Sequence, residues 1–582
     1  MWSLFAYLCL AWYAIIWSIC LLGLSLARSY FRPPIPRSPL APHRTSDLVT
    51  NALSRPSSDA VPQQRPRDDA GAAVVDSDTS SVPGVSILRP LSGLDCNLVS
   101  NLSSSFQQDY PADRFEVLLS IKDTQSSEAQ KVFGVAQMVM ARYPRIQARI
   151  VVGDEVAGVN PKINNLVRPY SQARHDILWV VDSQVWSPPG AMARAVDHLI
   201  RAHDQPRPLP TWLGRKPHGS RVGLVHHVPL AVLPGTSWGS QVERVFLSTT
   251  HAKMYLAINS LAIDSCVMGK SNMYRRSDLE RVPDSFFEVG TGGSRGESGA
   301  IGSDAFTRHE GDATAEDDVD VDVDADTDKD ARRRQQQQQP LLASSFSRSS
   351  PTPPLPSSQA GGAAASSSTA PATTSTTTVA TTPHPPSPPT TTTTVRTSSR
   401  ALARFGIYLA EDNMLALSLW RPPLSLSHVL ARGDVAHTSV GDIRTLRDYA
   451  ERRMRWIRVR KHMVLGATLA EPLTESVVAG LLGLVAVRWF LGATSATSAA
   501  LFLAAHFAAW GYVDWQVMVA LQGGEPVQPG EGWTLIKAWC IREAMALPIW
   551  AWAVSGSTSE CTGSRQGVAR RGAAASGDMQ MG

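Results

Sequence analysis

Several residues in this chain have types and spacings suited to chemistry on a phosphorylated ligand. Asp182 follows five consecutive apolar residues, Ile177 to Val181, which read as a strand buried on both faces. In open α/β sheets, ligands bind at the carboxyl ends of strands, and hard carboxylate oxygens there suit Mg²⁺ or Mn²⁺ held against a diphosphate. Asp95 follows an earlier strand in the same way, and Asp123 stands at the end of a second one. Glu411 and Asp412 are adjacent carboxylates, so repulsion from one can raise the pKa of the other. Arg452 and Arg455, three residues apart, lie on neighbouring faces of a helix, where guanidinium forks bind phosphate oxygens and Trp456 can stack at the edge. Lys162 sits in a loop that opens a helix, a place from which an ammonium can meet a phosphate. His226 lies in an apolar strand and reads either as a satisfied core histidine or as a group beside an acceptor. Each has a plainer reading: turn carboxylates for Asp95 and Asp182, a helix-start aspartate for Asp412, and a juxtamembrane basic helix for Arg452 and Arg455.

The elements that must position these residues alternate between strand and helix. Val85–Leu88 reads as a strand closed by Arg89-Pro90, followed by a helix from Asn97 to Phe106. Strands at Phe115–Ile121 and Ala148–Val152 flank a helix from Gln130 to Arg142. The loop Gly158 to Leu166 opens another helix, and a further helix, about 190–202, follows Asp182. Val222–Val228 is a strand, and Trp238 to Leu256 reads as a helix. This rhythm implies a mostly parallel sheet.

Around this domain the composition changes sharply. Residues 1–27 are almost wholly apolar and long enough for a transmembrane helix. Arg28, Arg32, Arg37 and Arg44 follow it, so the positive-inside rule puts the next part in the cytosol. The Pro-, Ser- and Asp-rich residues 28–84 read as a disordered linker, and 204–221 as a surface insertion. Residues 288–400 hold an acidic run, five glutamines and Ser/Thr/Pro tracts that cannot build a core. The Val-Asp alternation at 319–324 is no EF-hand, because Ala325 and Ala331 stand where Gly and Glu are needed. After a basic helix from Ile443 to Lys461 come apolar segments near 477–493, 496–519 and 533–554, the last carrying Lys537, Arg542 and Glu543. Two to three membrane segments are therefore expected within 471–555, before a disordered tail at 556–582. The net charge of +4 on 582 residues gives no argument for nucleic acid. Six scattered cysteines form no zinc spacing or disulfide framework, which suits a reducing compartment.

Taken in order, Asp95, Asp182, Asp412 and Arg452-x-x-Arg455-Trp456 resemble the three-aspartate and (Q/R)xxRW pattern of inverting GT-A glycosyltransferases. Val85 to Asp95, the Asn-Pro-Lys-Ile-Asn-Asn core of 160–165, Gly223 to His226, Ala410-Glu411-Asp412, Glu471-Pro472 and Ile541-Arg542-Glu543 are similar to the ceramide glucosyltransferase family. The resemblance implies a GT-A nucleotide-sugar part at 85–287 and an acceptor-side part at 401–470. It also implies transfer of glucose from UDP-glucose to the primary hydroxyl of ceramide on the cytosolic face of a Golgi or ER membrane. By the same resemblance, Asp412 is the general base and Asp182 the metal-side aspartate, with Mg²⁺ or Mn²⁺ as cofactor. Asp95, Asp123, Lys162, Arg452, Arg455, Trp456 and His226 make the binding set. With one base and no carboxylate nucleophile, a single displacement inverts an α-linked donor to a β-glucoside. The sequence departs from the family in the 288–400 insert, the 204–221 stretch and Gln184, which stands where a small residue is expected. A processive polysaccharide synthase of the chitin, cellulose or hyaluronan kind and a non-catalytic membrane scaffold are the alternatives.

Overall fold

A computed structural model describes residues 2–42, 82–201, 221–232, 235–261, 266–288, 400–492 and 494–556. Most of the expected linker, the 204–221 insertion, the low-complexity insert and the tail lie outside the described residues.

The chain opens with helix α1 (Trp2–Tyr30) and then builds β1 (Val85–Leu91), α2 (Leu98–Phe106), β2 (Phe115–Ile121), α3 (Ser127–Arg142) and β3 (Gln147–Val152). Helix α4 (Pro161–Gln172), β4 (Ile177–Val181), the short β5 (Val185–Trp186), α5 (Ala191–Arg201) and β6 (Val222–Val232) follow. Next come α6 (Trp238–Phe246), a π turn at Leu247–His251, α7 (Ala252–Leu261), β7 (Ser271–Arg275) and α8 (Arg276–Glu280). Beyond residue 400 stand α9 (Glu411–Trp420), β8 (Ser427–Ser439), α10 (Leu446–Met463), α11 (Leu465–Ala470), α12 (Ser476–Leu491), α13 (Ala496–Leu521) and α14 (Glu531–Ser555).

One eight-stranded sheet in the order β3-β2-β1-β4-β7-β6-β8-β5 carries the site. Pairs β1–β2, β2–β3, β1–β4 and β6–β8 are parallel, while β7 runs antiparallel to both β4 and β6. Sheet alternation sorts the strand side chains into two cores. Val85, Ile87, Trp179 and Val181 pack with Leu102, Val132 and Val196 on one face. Leu88, Leu178 and Val180 pack with Ile163, Leu166 and Leu415 on the other. With both faces covered, near-continuous apolar strands are the stable choice. This is the doubly covered, mostly parallel GT-A arrangement.

Strand β1 does not stop at Arg89-Pro90 as the sequence suggested. It continues to Leu91, paired with β2, whereas its pairing with β4 ends at Leu88. Pro90 lies beyond the doubly paired stretch, so its missing N–H breaks no bond to β4. Arg89 is fully buried and donates to the carbonyls of Ser183 and Val185, at 3.2 and 3.0 Å. It thereby shapes the turn after Asp182.

Helices α1 and α13 are long and apolar enough to cross a membrane. Residues Leu465–Thr474 and Ser476–Leu491 pass the same test only as a pair bent by 66°. The described C-terminal part therefore supplies one such helix, or two with the bent pair. Helix α14 is not among them. Its Leu535, Ala538, Ile549 and Ala553 pack in one core with Val242, Phe246, Tyr449 and Ile457 of α6 and α10. A buried Lys253–Asp514 ion pair at 2.7 Å ties α7 to α13, and Trp539 Nε1 donates to the other Asp514 oxygen at 2.9 Å. Gly23 of α1 lies so close to the Lys253 carbonyl that a Cβ there would come within 2.3 Å of its oxygen.

Candidate active site

A cavity of about 320 Å³ opens at the carboxyl end of β4. Lys162, Asp182, Gly269, Lys270, Glu411, Asp412, Arg455 and Trp456 line it, with Met268, Leu409 and Val459 as an apolar flank. Five separate chain segments meet there, around 160–162, 182, 268–270, 409–412 and 455–459.

The Asn160–Asn165 stretch is a scaffold in which each polar side chain has a task. Asn160 caps α4, its Oδ1 accepting from the amides of Lys162 and Ile163 at 2.8 and 3.2 Å, and Pro161 opens the helix where no N–H is needed. The Asn160 amide donates to Glu411 Oε2 at 2.7 Å and to the Tyr408 carbonyl at 2.8 Å, tying this loop to the start of α9. Asn164 closes its own loop by accepting from Ala157 N at 2.9 Å and donating to the Gly158 carbonyl at 3.0 Å. Asn165 reaches the Leu91 and Ser120 carbonyls at the ends of β1 and β2. Gly158 is required by close approach, since a Cβ would stand 2.4 Å from the Gly406 backbone.

Lys162 is thereby aimed at the cavity. Its Nζ lies 2.9 Å from Asp182 Oδ1, 3.1 Å from Glu411 Oε1 and 2.9 Å from the Gly269 carbonyl. Burial alone would depress its pKa, but Asp182 and Glu411 outweigh burial and hold it above the usual lysine value. The other Asp182 oxygen, Oδ2, meets Lys270 Nζ at 3.0 Å. Burial works against the Asp182 charge, yet the two ammonium groups keep its carboxyl below the usual range.

Asp412 differs in kind. Burial pushes its carboxyl up to about 7, Glu411 adds like-charge repulsion, and Lys162 only partly offsets them. The sequence reading named the repulsion; the larger cause, burial, is a product of the fold. Such a carboxylate is poised to take a proton near neutral pH. Gly269 packs directly on this pair: a Cβ would fall 2.6 Å from Asp412 Oδ2 and 2.8 Å from Lys162 Nζ.

Other expected residues separate into those at the cavity and those behind it. Arg455 and Trp456 line it, and the buried indole N–H of Trp456 has no acceptor among the described residues. Arg452 instead pairs with buried Glu243 at 3.0 Å, fixing α10 against α6. Asp95 lies at the end of β1 beside Ser183 and Asp442, with burial and then the Asp442 charge raising its pKa against the Ser183 hydrogen bond. Its Oδ2 is buried without a hydrogen-bond partner among the described residues. Asp123 accepts from Gln125 N at 3.0 Å in the turn after β2 and does not line the cavity. His226 is fully buried, held neutral by burial, and bonded through Nδ1 to the Tyr255 hydroxyl at 2.6 Å. That hydroxyl accepts from Met268 N at 3.2 Å, so His226 reaches the cavity only through two intermediaries.

Lys270 and Asp442 escaped sequence reasoning. Lys270 precedes β7, a short polar strand with no periodic signal, and Asp442 lies in a loop whose partner, Cys96, is distant in sequence. Asp182 offers a divalent ion a hard-oxygen donor, and no group of three His, Cys, Asp or Glu suited to a metal occurs among the described residues. The arrangement fits an ion shared between one carboxylate and a ligand's phosphates rather than a closed protein cage. The lysines on that carboxylate sit on flexible stems that can release an oxygen.

The sequence profile of glycosyl transferase family 21 matches residues 65–205, 213–283 and 401–573. The chain belongs to glycosyl transferase family 21. The break in the match between 283 and 401 coincides with the low-complexity insert. Among similar proteins, a ceramide glucosyltransferase of Komagataella phaffii is 30% identical over 508 residues, covering 82% of this chain and 80% of that protein. A ceramide glucosyltransferase of Pyricularia oryzae is 27% identical, covering 94% of this chain and 90% of its own. Among solved structures, a mannosyltransferase of Pyrobaculum calidifontis in complex with GDP-Man and Mn²⁺ covers 93% of this chain and 98% of its own, with 13% identity and a TM-score of 0.34. As a family 21 glycosyltransferase, the chain needs a site for a charged leaving group and a base for an acceptor. The cavity supplies cations and a near-neutral carboxylate at one place.

Proposed function

We propose that this enzyme transfers glucose from UDP-glucose to the primary hydroxyl of ceramide with inversion, giving β-glucosylceramide. The observation that carries the reading is Asp412, a carboxylate raised to about 7 in a cavity that Lys162 and Arg455 also line. Asp412 takes the proton of the acceptor hydroxyl as the hydroxyl oxygen forms its bond to the anomeric carbon. The bond from that carbon to the diphosphate oxygen breaks, and its electron pair leaves with UDP. Lys162 and Arg455 face the charge that develops on the leaving group. One displacement turns the α-linked donor into a β-glucoside, since no second carboxylate is assigned the part of nucleophile. Asp182 would hold a bound Mg²⁺ or Mn²⁺, which adds positive charge at the leaving diphosphate.

The ceramide similarity of the relatives agrees with the apolar flank of Met268, Leu409 and Val459 beside Asp412. On this reading the catalytic part faces the cytosol from a Golgi or ER membrane; Arg28 and Arg32, at and just beyond the end of α1, support the cytosolic side by the positive-inside rule. Asp95 binds the nucleoside side of the donor with its free, buried carboxylate oxygen, and Asp123 stands at the rim of the same strand ends. Arg452 and His226 support Arg455 and Met268 from behind.

The test is expression in microsomes lacking glucosylceramide, supplied with UDP-glucose, ceramide and divalent metal. β-Glucosylated ceramide from the wild type and not from Asp412→Asn is expected. Conversion of UDP-glucose into polymer without a lipid acceptor would overturn the acceptor assignment.

A further inference from the structure

Lys270 has a position that neither the sequence pattern nor the proposed mechanism uses. It immediately precedes β7, whose first residue, Ser271, pairs with Val181 at the end of β4. The Asp182 amide donates to the Lys270 carbonyl at 3.1 Å, so the two residues are joined through the backbone as well as by their ion pair. Its side chain is 8% exposed. An ammonium held so firmly at the end of the central strand is part of the site's architecture.

One carboxylate, Asp182, serves two ammonium groups there. Lys162 has Glu411 as a second acidic partner, whereas Lys270 has Asp182 alone among the described residues within ion-pair distance. An ammonium has three N–H donors, and Lys270, with one carboxylate partner, keeps donors for an anion in the cavity it lines. The anion must enter at the strand ends, where Lys162 and Lys270 flank Asp182 on its two oxygens.

We propose that Lys270 is a second diphosphate-binding cation, gripping the phosphates of the nucleotide opposite Lys162. The inference rests on the reading of the site as one for a uridine diphosphate donor. Two ammonium groups flank the two oxygens of one carboxylate at the cavity, and each presents rotatable donors to non-bridging phosphate oxygens.

Binding, not turnover, decides this. UDP and uridine are titrated calorimetrically into the full chain in nanodiscs, in EDTA so that no metal contributes charge. Lys270→Met keeps the stem and removes the charge, and Lys270→Arg keeps the charge. The Met variant is expected to lose about ten- to a hundredfold in UDP affinity, the range for a hydrogen bond to a charged group. Its uridine affinity stays within about twofold of wild type, and the Arg variant recovers most of the loss. A Met variant that binds UDP as wild type does would overturn the assignment while leaving the donor reading intact. An equal loss for UDP and uridine would overturn it too, marking Lys270 as a structural clamp on Asp182. If wild type needs Mn²⁺ to bind UDP, the same variants are compared with Mn²⁺ present under the same criteria; wild-type protein that binds UDP neither in EDTA nor with Mn²⁺ would bring down the donor reading together with the inference. A second measurement needs no variant: UDP, and not uridine, should shield Lys270 of the wild type from reductive methylation, and unaltered methylation would overturn the proposal.

Discussion

Replacing Asp412 by Asn removes a proton acceptor while keeping the volume of the side chain in its half-buried place at the cavity. A positioned general base contributes about 10²–10⁴ in rate, or roughly 3–5 kcal/mol of barrier at 1.36 kcal/mol per decade. The loss should fall on kcat, because Asp412 meets the acceptor hydroxyl during transfer and makes no contact assigned to UDP. The wild-type rate should also carry a signature that the variant lacks. Because burial and Glu411 lift the Asp412 carboxyl to about 7, kcat/KM should rise with pH through that value as the base deprotonates. Glu411→Gln should move this limb to lower pH, for two reasons that act in the same direction. It removes the like charge, and it frees Lys162, now 3.1 Å from Glu411, to act more strongly on Asp412. The same shift has a consequence for stability with a definite sign. The carboxyl is raised in the folded state, so its contribution is fully present below the unfolded value of 3.8 and is lost as pH rises through about 7. Asp412→Asn should therefore unfold at a higher temperature than wild type at pH 8, and the gap should narrow at pH 5 and close only below the unfolded value of 3.8. The assay is initial-rate transfer from labelled UDP-glucose to a short-chain ceramide across pH 5–9, with thermal unfolding measured on the same samples. An Asn variant with wild-type kcat, or with the same acid limb, would refute the assignment of Asp412 as base.

Gly269→Ala should abolish transfer without unfolding the chain, because its Cβ would come within 2.6 Å of Asp412 Oδ2; circular dichroism alongside the rate assay separates the two effects. Lys253→Met leaves Asp514 as an unpaired buried charge, which costs about 3–5 kcal/mol. A lower unfolding temperature, partly restored by adding Asp514→Leu, would be the readout. Deleting residues 289–399 and joining the flanks with a short Gly/Ser linker should leave specific activity within a few-fold, since the family profile resumes at 401 and loop length costs little. Rates at matched protein levels would check it.

Much of this enzyme was legible without coordinates because its central strands are buried on both faces. Ile177–Val181 and Phe115–Ile121 could be read to the residue, since continuous apolar runs between helix-forming stretches leave little choice of assignment. Asp95, Asp182, Asp412 and the Arg455-Trp456 pair were legible because strand ends and a spaced basic motif survive as patterns along the chain. Strands β7 and β8 were not. Their residues include Asn272, Arg275, Arg432 and Asp434, polar groups that only the fold can satisfy, as Arg194 does for Asp434 with two bonds of 2.6 Å. Helix α14 resembled a membrane segment by composition, but Leu535, Ala538, Ile549 and Ala553 pack against α6 and α10, while Trp533, Ile536, Leu547 and Trp552 stay exposed. The site divides in the same way. Residue type alone marked Asp182 and Lys162 as polar groups suited to phosphate chemistry. Which of them meet, that Lys270 joins them, that Arg452 and His226 stand behind the cavity, and that Asp412 is desolvated enough to hold a proton near 7 were decided by packing. Desolvation and ion pairing depend on what lies within a few ångströms in space, and separation along the chain carries no record of that distance.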